Sequence, residues 1–220
     1  MGKKRTFLSV DILNEKYKKI TSYQKQIRDF LLKENAVESY LNTINISKEI
    51  SESYRSNYKK FYGLRLSDDL AEAYFNKLVK VNKAFDKRKN AEYKDVEKMI
   101  SELRDISFVS EGKAVNHFSF STKLIHTVNH NFPIYDQEVG KFFLYEISCK
   151  NRPSMTLEKF NQFYNALITE YRRIKNDRCL QGIIGSFDKE IKGFKEISFE
   201  KKVDFIIWRY QTIVDKEVNR

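Results

Sequence analysis

A chain of 220 residues with 41% hydrophobic and 14% aromatic side chains has enough apolar surface to build a core, which excludes a disordered chain and fits one domain or two small lobes. Its 41 Lys and Arg outnumber 30 Asp and Glu, for a net charge of +11, a balance compatible with a nucleic-acid partner. Seven glycines and two prolines are too few turn residues for an all-β sandwich or barrel, so the expected class is all-α.

No run reaches the roughly 18 to 20 apolar residues that a membrane-spanning helix needs. The start, MGKKRTFLSVDILNEKYKK, returns to charge too soon for a signal peptide, so a cytoplasmic protein without a membrane partner is expected. Cys149 and Cys179 have no CxxC partner, which argues against a disulfide framework or a cysteine-ligated metal. The positive excess lies at the two ends: residues 1–60 carry 13 Lys and Arg against 7 Asp and Glu, and 151–220 carry 14 against 10, around a neutral 111–150.

Tyr54, Tyr58, Phe61 and Tyr62 lead to Gly63, and Ser67-Asp68-Asp69 then opens a run carrying Leu70, Tyr74, Leu78 and Val79. The pattern predicts helix, stop, cap, helix. Asp86 to Asn90 is a charged break. Val96, Met99, Ile100, Leu103 and Ile106 form the next helical stripe, with Ile106 to Val109 expected as a short extended piece before Glu111-Gly112. Beyond the middle segment, Leu157, Phe160, Tyr164, Leu167, Ile168, Tyr171 and Ile174 repeat the stripe, as do Phe199, Val203, Ile206, Ile207, Tyr210 and Val214. Gly182, Gly185 and Gly193 read as interruptions. Residues 1–220 contain no repeat or flexible linker, so one helical body is expected, any division into two lobes falling near 86–92.

The chemistry-bearing residues concentrate in His117-Phe-Ser-Phe-Ser-Thr-Lys123-Leu-Ile-His126-Thr-Val-Asn-His130-Asn-Phe-Pro133-Ile-Tyr-Asp136-Gln-Glu-Val139, which holds all three histidines. His126 and His130 at i, i+4 would share a helix face and suit a metal, with Asp136 or His117 as further ligands, but the Glu of HExxH is missing and no other His or Cys completes a set. No metal or other cofactor is expected. As plain structure, Ser119 to Thr122 reads as a polar turn, Lys123 to His130 as a helix and Phe132-Pro133 as its stop. Asp136 then caps a helix carrying Val139, Phe142, Phe143 and Ile147.

The string Ser-Thr-Lys123-Leu-Ile-His followed by Phe-Pro133-Ile-Tyr-Asp136-Gln-Glu-Val139 also resembles the helix-hairpin-helix DNA glycosylases, in particular the branch similar to 8-oxoguanine DNA glycosylases. Tyr58-Lys-Lys-Phe61-Tyr62 and Lys202-Val-Asp204-Phe-Ile-Ile-Trp208 are weaker echoes. The resemblance implies two helical lobes around a cleft, with a hairpin and catalytic-type segment over 112–139. It places Lys123 at the family's Schiff-base nucleophile, Asp136 at its catalytic acid, and His117, Ser119, Ser121 and Thr122 against the DNA backbone. The implied partner is double-stranded DNA, bound by a monomer.

Such a lysine attacks only as the free amine, so burial that disfavours the ammonium form is expected around it. A carboxylate at a helix start stabilises positive charge on the sugar, and the target base must leave the duplex stack. The alternative is a catalytically inactive helical DNA-binding or interaction protein on the same scaffold. Phe118, Phe120 and Trp208 are stacking candidates that serve equally well as core.

Overall fold

The computed structural model describes residues 7–45, 50–84, 93–111, 117–143 and 156–218. Every regular element among them is a helix, so the chain is all-α. No helix among the described residues is long and apolar enough to cross a membrane.

The chain divides into two compact units, one formed by residues 1–34 and 133–220 and the other by 35–132. The first unit begins with α1 (Val10–Ser22) and α2 (Gln24–Lys33). The second holds α3 (Ala36–Ile44), α4 (Glu52–Tyr62), α5 (Asp68–Ala84), α6 (Tyr93–Glu111) and α7 (Phe118–Val128). The chain then returns to the first unit as α8 (Gln137–Phe143), α9 (Leu157–Asn176), α10 (Gln181–Glu190), a 3-10 turn at Phe194–Glu196 and α11 (Phe199–Val218).

This division differs from the boundary expected near 86–92. Residues 85–92 lie outside the described set, but the helices on either side, α5 and α6, pack on each other and both pack on α7. The apolar faces of α5 and α6 decide which unit they join.

In the second unit Tyr40, Tyr58, Tyr74, Phe75, Leu78, Val96, Ile100 and Leu124 are buried. Each large side chain of this kind contributes roughly 1.5–3 kcal/mol on burial. Ser51 Oγ accepts from Tyr54 N at 3.2 Å to start α4. Gly63, at φ 60°, ends it, its N–H and that of Leu64 returning to Lys60 O and Lys59 O. The left-handed conformation there is the one glycine adopts without strain. Ser67 O accepts from Ala71 N at 2.8 Å at the start of α5. The expected extended piece at 106–109 is instead helical, because α6 runs on to Glu111. Gly112 lies outside the described residues.

The first unit buries Val139, Phe142 and Phe143 of α8 among Phe160, Tyr164 and Leu167 of α9 and Val203, Ile206 and Ile207 of α11. The described part of α8, Gln137–Phe143, is too short to be stable alone and is held by these contacts. Lys16 Nζ donates to Phe142 O and Leu8 N to Phe143 O. The expected continuation to Ile147, together with Cys149, lies outside the described residues. Thr156 Oγ1 accepts from Lys159 N at 3.3 Å at the start of α9.

Gly193, at φ 79°, does break the chain, whereas Gly182 and Gly185 sit inside α10. The burial of Ile183, Ile184 and Phe187 holds that segment helical in spite of them. A Cβ added at either glycine would meet nothing within 4 Å. Gly182→Ala and Gly185→Ala are therefore expected to stabilise the protein by about 0.5–1 kcal/mol each, through lower unfolded-state entropy. Urea unfolding measures this, and a less stable alanine variant would show that the glycine serves a contact outside the helix.

Candidate functional site

Lys123 lies in the middle of α7, in the second unit, where the expected polar turn at 119–122 is already helical. The turn is absent because the hydroxyls do not pull the backbone out of the helix: Ser121 Oγ donates to His117 O at 2.9 Å and Thr122 Oγ1 to Ser119 O at 3.1 Å. Such hydroxyls can bond the preceding turn without ending the helix. Lys123 consequently does not open the helix. Any hairpin ahead of α7 would fall in 112–116, outside the described residues.

Lys123 is 9% exposed, and its Nζ donates to Tyr62 O at 3.1 Å. The same nitrogen lies 5.9 Å from the Tyr62 ring centroid. Tyr62 is the last residue of α4, and its carbonyl is one of the terminal acceptors that a helix leaves without an internal partner. The lysine therefore caps α4, and a positive group suits the negative end of the helix. Below it, Thr127 Oγ1 donates to Lys123 O at 2.8 Å, and Tyr74 Oη donates to Phe120 O at 3.2 Å. Tyr58 Oη lies 2.8 Å from Thr127 Oγ1 and 3.1 Å from Tyr74 Oη. Burial pushes the phenols of Tyr58 and Tyr74 well above their ordinary range, so both remain protonated hydrogen-bonding groups.

His126 and His130 are drawn into structure. His126 Nδ1 contacts Phe132 O at 2.6 Å. A carbonyl only accepts, so this nitrogen carries a proton, and in the neutral ring Tyr40 Oη donates to Nε2 at 2.9 Å. His130 falls beyond the end of α7 rather than on its face, and its Nδ1 donates to His126 O at 2.9 Å. A metal at His126 would have to displace Tyr40. Among the described residues no group of three or more His, Cys, Asp or Glu is placed to hold a metal ion.

Of the residues expected at a DNA backbone, Ser121 and Thr122 are fully buried, and their hydroxyls are spent on the helix. They do not form a phosphate-contacting surface. His117 and Ser119 are half-buried, and the His117 ring stacks on Phe120 with centroids 5.2 Å apart. Phe118 is core, while Trp208 in the first unit is half-buried against Phe30 at 5.8 Å.

Asp136 belongs to the first unit. Its Oδ1 accepts from Val139 N at 2.9 Å and its carbonyl from Gly140 N at 2.9 Å, the geometry of the helix cap read from the sequence. The segment leading into α8 runs along α9. The Tyr135 ring meets Phe160 and Phe163 edge-on at 5.2 and 5.4 Å, and Tyr164 Oη donates to Pro133 O at 2.6 Å. Gly140 admits the Tyr135 ring, which would stand 3.3 Å from an added Cβ.

Sequence reading missed one cluster, a buried carboxylate on α9. Glu170 is 5% exposed, and it accepts from Tyr17 Oη at 2.7 Å and from Arg173 through both oxygens. Glu170 and Arg173 stand at i, i+3, which reads as an ordinary surface pair until Tyr17 and Asn14 of α1 are known to cover it. Cys179 sits half-buried beside it, Arg173 Nη1 lying 3.9 Å from Sγ, and burial raises its thiol above the usual value. The chain matches no family model, no curated protein and no solved structure.

Proposed function

We propose that the chain is a DNA-binding protein of the base-excision glycosylase type, with a helix-hairpin-helix glycosylase-like fold and Lys123 as its nucleophile. The observation that carries this reading is a lysine buried in a helix, at the place the Ser-Thr-Lys-Leu-Ile-His string assigns to an amine. Burial disfavours an ammonium and suits an amine that must lose its proton, while the helix end at Tyr62 pulls the other way.

In the proposed reaction the Nζ lone pair attacks C1′ of a flipped nucleotide, and the glycosidic bond breaks with its electrons leaving on the base. The sugar ring then opens to a protonated Schiff base, which can support strand cleavage. For this step Lys123 gives up its hydrogen bond to Tyr62 O. The resemblance assigns to Asp136 the negative charge that stabilises the positive sugar. Double-stranded DNA is the partner, with His117 and Ser119 at the phosphate side and the basic ends of the chain adding salt-dependent affinity.

A second reading has its own support. Nζ is already employed as a cap of α4, and a lysine retained for that purpose would suit a DNA-binding scaffold without chemistry. Borohydride trapping on abasic duplex DNA separates the two readings.

The role of Asp136 is tested by a pair of variants. Asp136→Asn keeps a side-chain acceptor for Val139 N and is expected to leave stability within a few tenths of a kcal/mol, while Asp136→Ala loses about 1 kcal/mol. If the carboxylate is chemical, the Asn variant folds normally and loses base release. Equal base release by the wild type and Asp136→Asn would reduce this residue to its capping role.

A further inference from the structure

Among the buried polar atoms of the first unit that meet no hydrogen-bond partner among the described residues are Tyr171 Oη on α9 and Asp204 Oδ1 on α11. The residues are 2% and 5% exposed, and their helices pack against each other. One atom is a donor and the other an acceptor. Burial foremost, and next the negative charge of Asp204, raise the Tyr171 phenol well above its ordinary range, so it keeps its proton. Asp204 Oδ2 is engaged by Lys201 Nζ at 2.5 Å, which leaves Oδ1 with lone pairs alone.

Tyr171 Oη lies on the axis of a ring packed against Phe143, with centroids 6.1 Å apart, so rotation about that axis does not move it. Asp204 is tied through Lys201, whose Nζ lies 4.3 Å from the Phe205 ring centroid. Other charged or titratable groups acting on Tyr171 are Tyr17, Asp136 and Tyr164. Tyr17 Oη already donates to Glu170 and Tyr164 Oη to Pro133 O. An unmet buried donor and an unmet buried acceptor each cost about 1–3 kcal/mol, and buried polar atoms are nearly always satisfied, often by one internal water.

We propose that Tyr171 Oη and Asp204 Oδ1 form a binding site for a single internal water molecule, which accepts from the phenol, donates to the carboxylate and so links α9 to α11. A water offers both roles at once. An apolar ligand offers neither, and an anion is opposed by Asp204.

The direct test is a high-resolution crystal structure of the full chain. A solvent peak within hydrogen-bond distance of both oxygens is expected. Density that touches only one of them, or none, overturns the proposal. Tyr171→Phe removes the donor, so the peak should vanish and the unfolding equilibrium constant should rise about tenfold. If the phenylalanine variant is as stable as the wild type or more so, Tyr171 was an unsatisfied donor and the site does not exist. If that variant fails to fold, the wild-type density decides alone.

Discussion

Borohydride added to the protein on duplex DNA containing an abasic site is expected to yield a covalent protein–DNA adduct, and Lys123→Gln to abolish it. Borohydride reduces an iminium between a lysine amine and C1′ to a stable amine, so loss of the adduct in Lys123→Gln identifies the amine. No other lysine of α7 can substitute, since Lys123 is the only one in that helix. Removing a nucleophile of this kind costs roughly 10⁴- to 10⁶-fold in rate. Glutamine keeps an N–H donor on a shorter side chain, so the variant also reports on the cap at Tyr62 O. Circular dichroism and a melting curve separate a lost fold from a lost nucleophile.

Adduct formation by a folded Lys123→Gln protein would remove Lys123 from the mechanism. A wild-type protein that shifts duplex DNA in a salt-dependent way but forms no adduct supports the scaffold reading. Absence of any shift at low salt excludes both DNA readings.

Arg173→Ala is expected to destabilise the first unit by about 3 kcal/mol, because it strips a buried carboxylate of its charged partner. Arg173 holds Glu170 in a bidentate pair at 2.6 and 2.9 Å and also reaches Asn14 Oδ1 at 3.0 Å. The hydrogen bond to Glu170 is the leading reason that the guanidinium is held above its usual range. Tyr17 remains as a single neutral donor, its phenol raised first by burial and then by the Glu170 charge. Replacing both members, as in Glu170→Leu with Arg173→Met, is expected to recover most of the loss, since the uncompensated charge disappears with its partner. Urea unfolding of the three variants measures this. A loss below about 1 kcal/mol for Arg173→Ala would place the pair with ordinary surface ion pairs.

The elements that were legible in the sequence are those in which one local signal dominates. The stripes at Val96 to Leu103, Phe160 to Ile174 and Val203 to Tyr210 bury the residues their spacing predicts, except that Ile168 is only half-buried. Gly63 and Asp136 occupy the caps that their chemistry favours. The start of α7 was not legible, because serine and threonine are compatible with both a turn and a helix. The outcome depends on whether their hydroxyls bond the preceding carbonyls. Gly182 and Gly185 misled for a related reason, since their intrinsic cost is smaller than the burial gained by Ile183, Ile184 and Phe187 around them.

Composition and periodicity by themselves determined that this protein is helical and where most of its apolar faces lie, because helix formation and amphipathic burial follow from residues three or four apart. The segment from His117 to Val139 could be singled out in the same way, by its residue types. Only the tertiary structure decided that His126 and His130 bond to backbone carbonyls, that Ser121 and Thr122 face inward, and that Lys123 ends on the carbonyl of Tyr62, 61 residues away. It also decided that the chain leaves its first unit at residue 34 and returns at 133. These outcomes rest on contacts between residues far apart in the chain, whose energies no local pattern encodes.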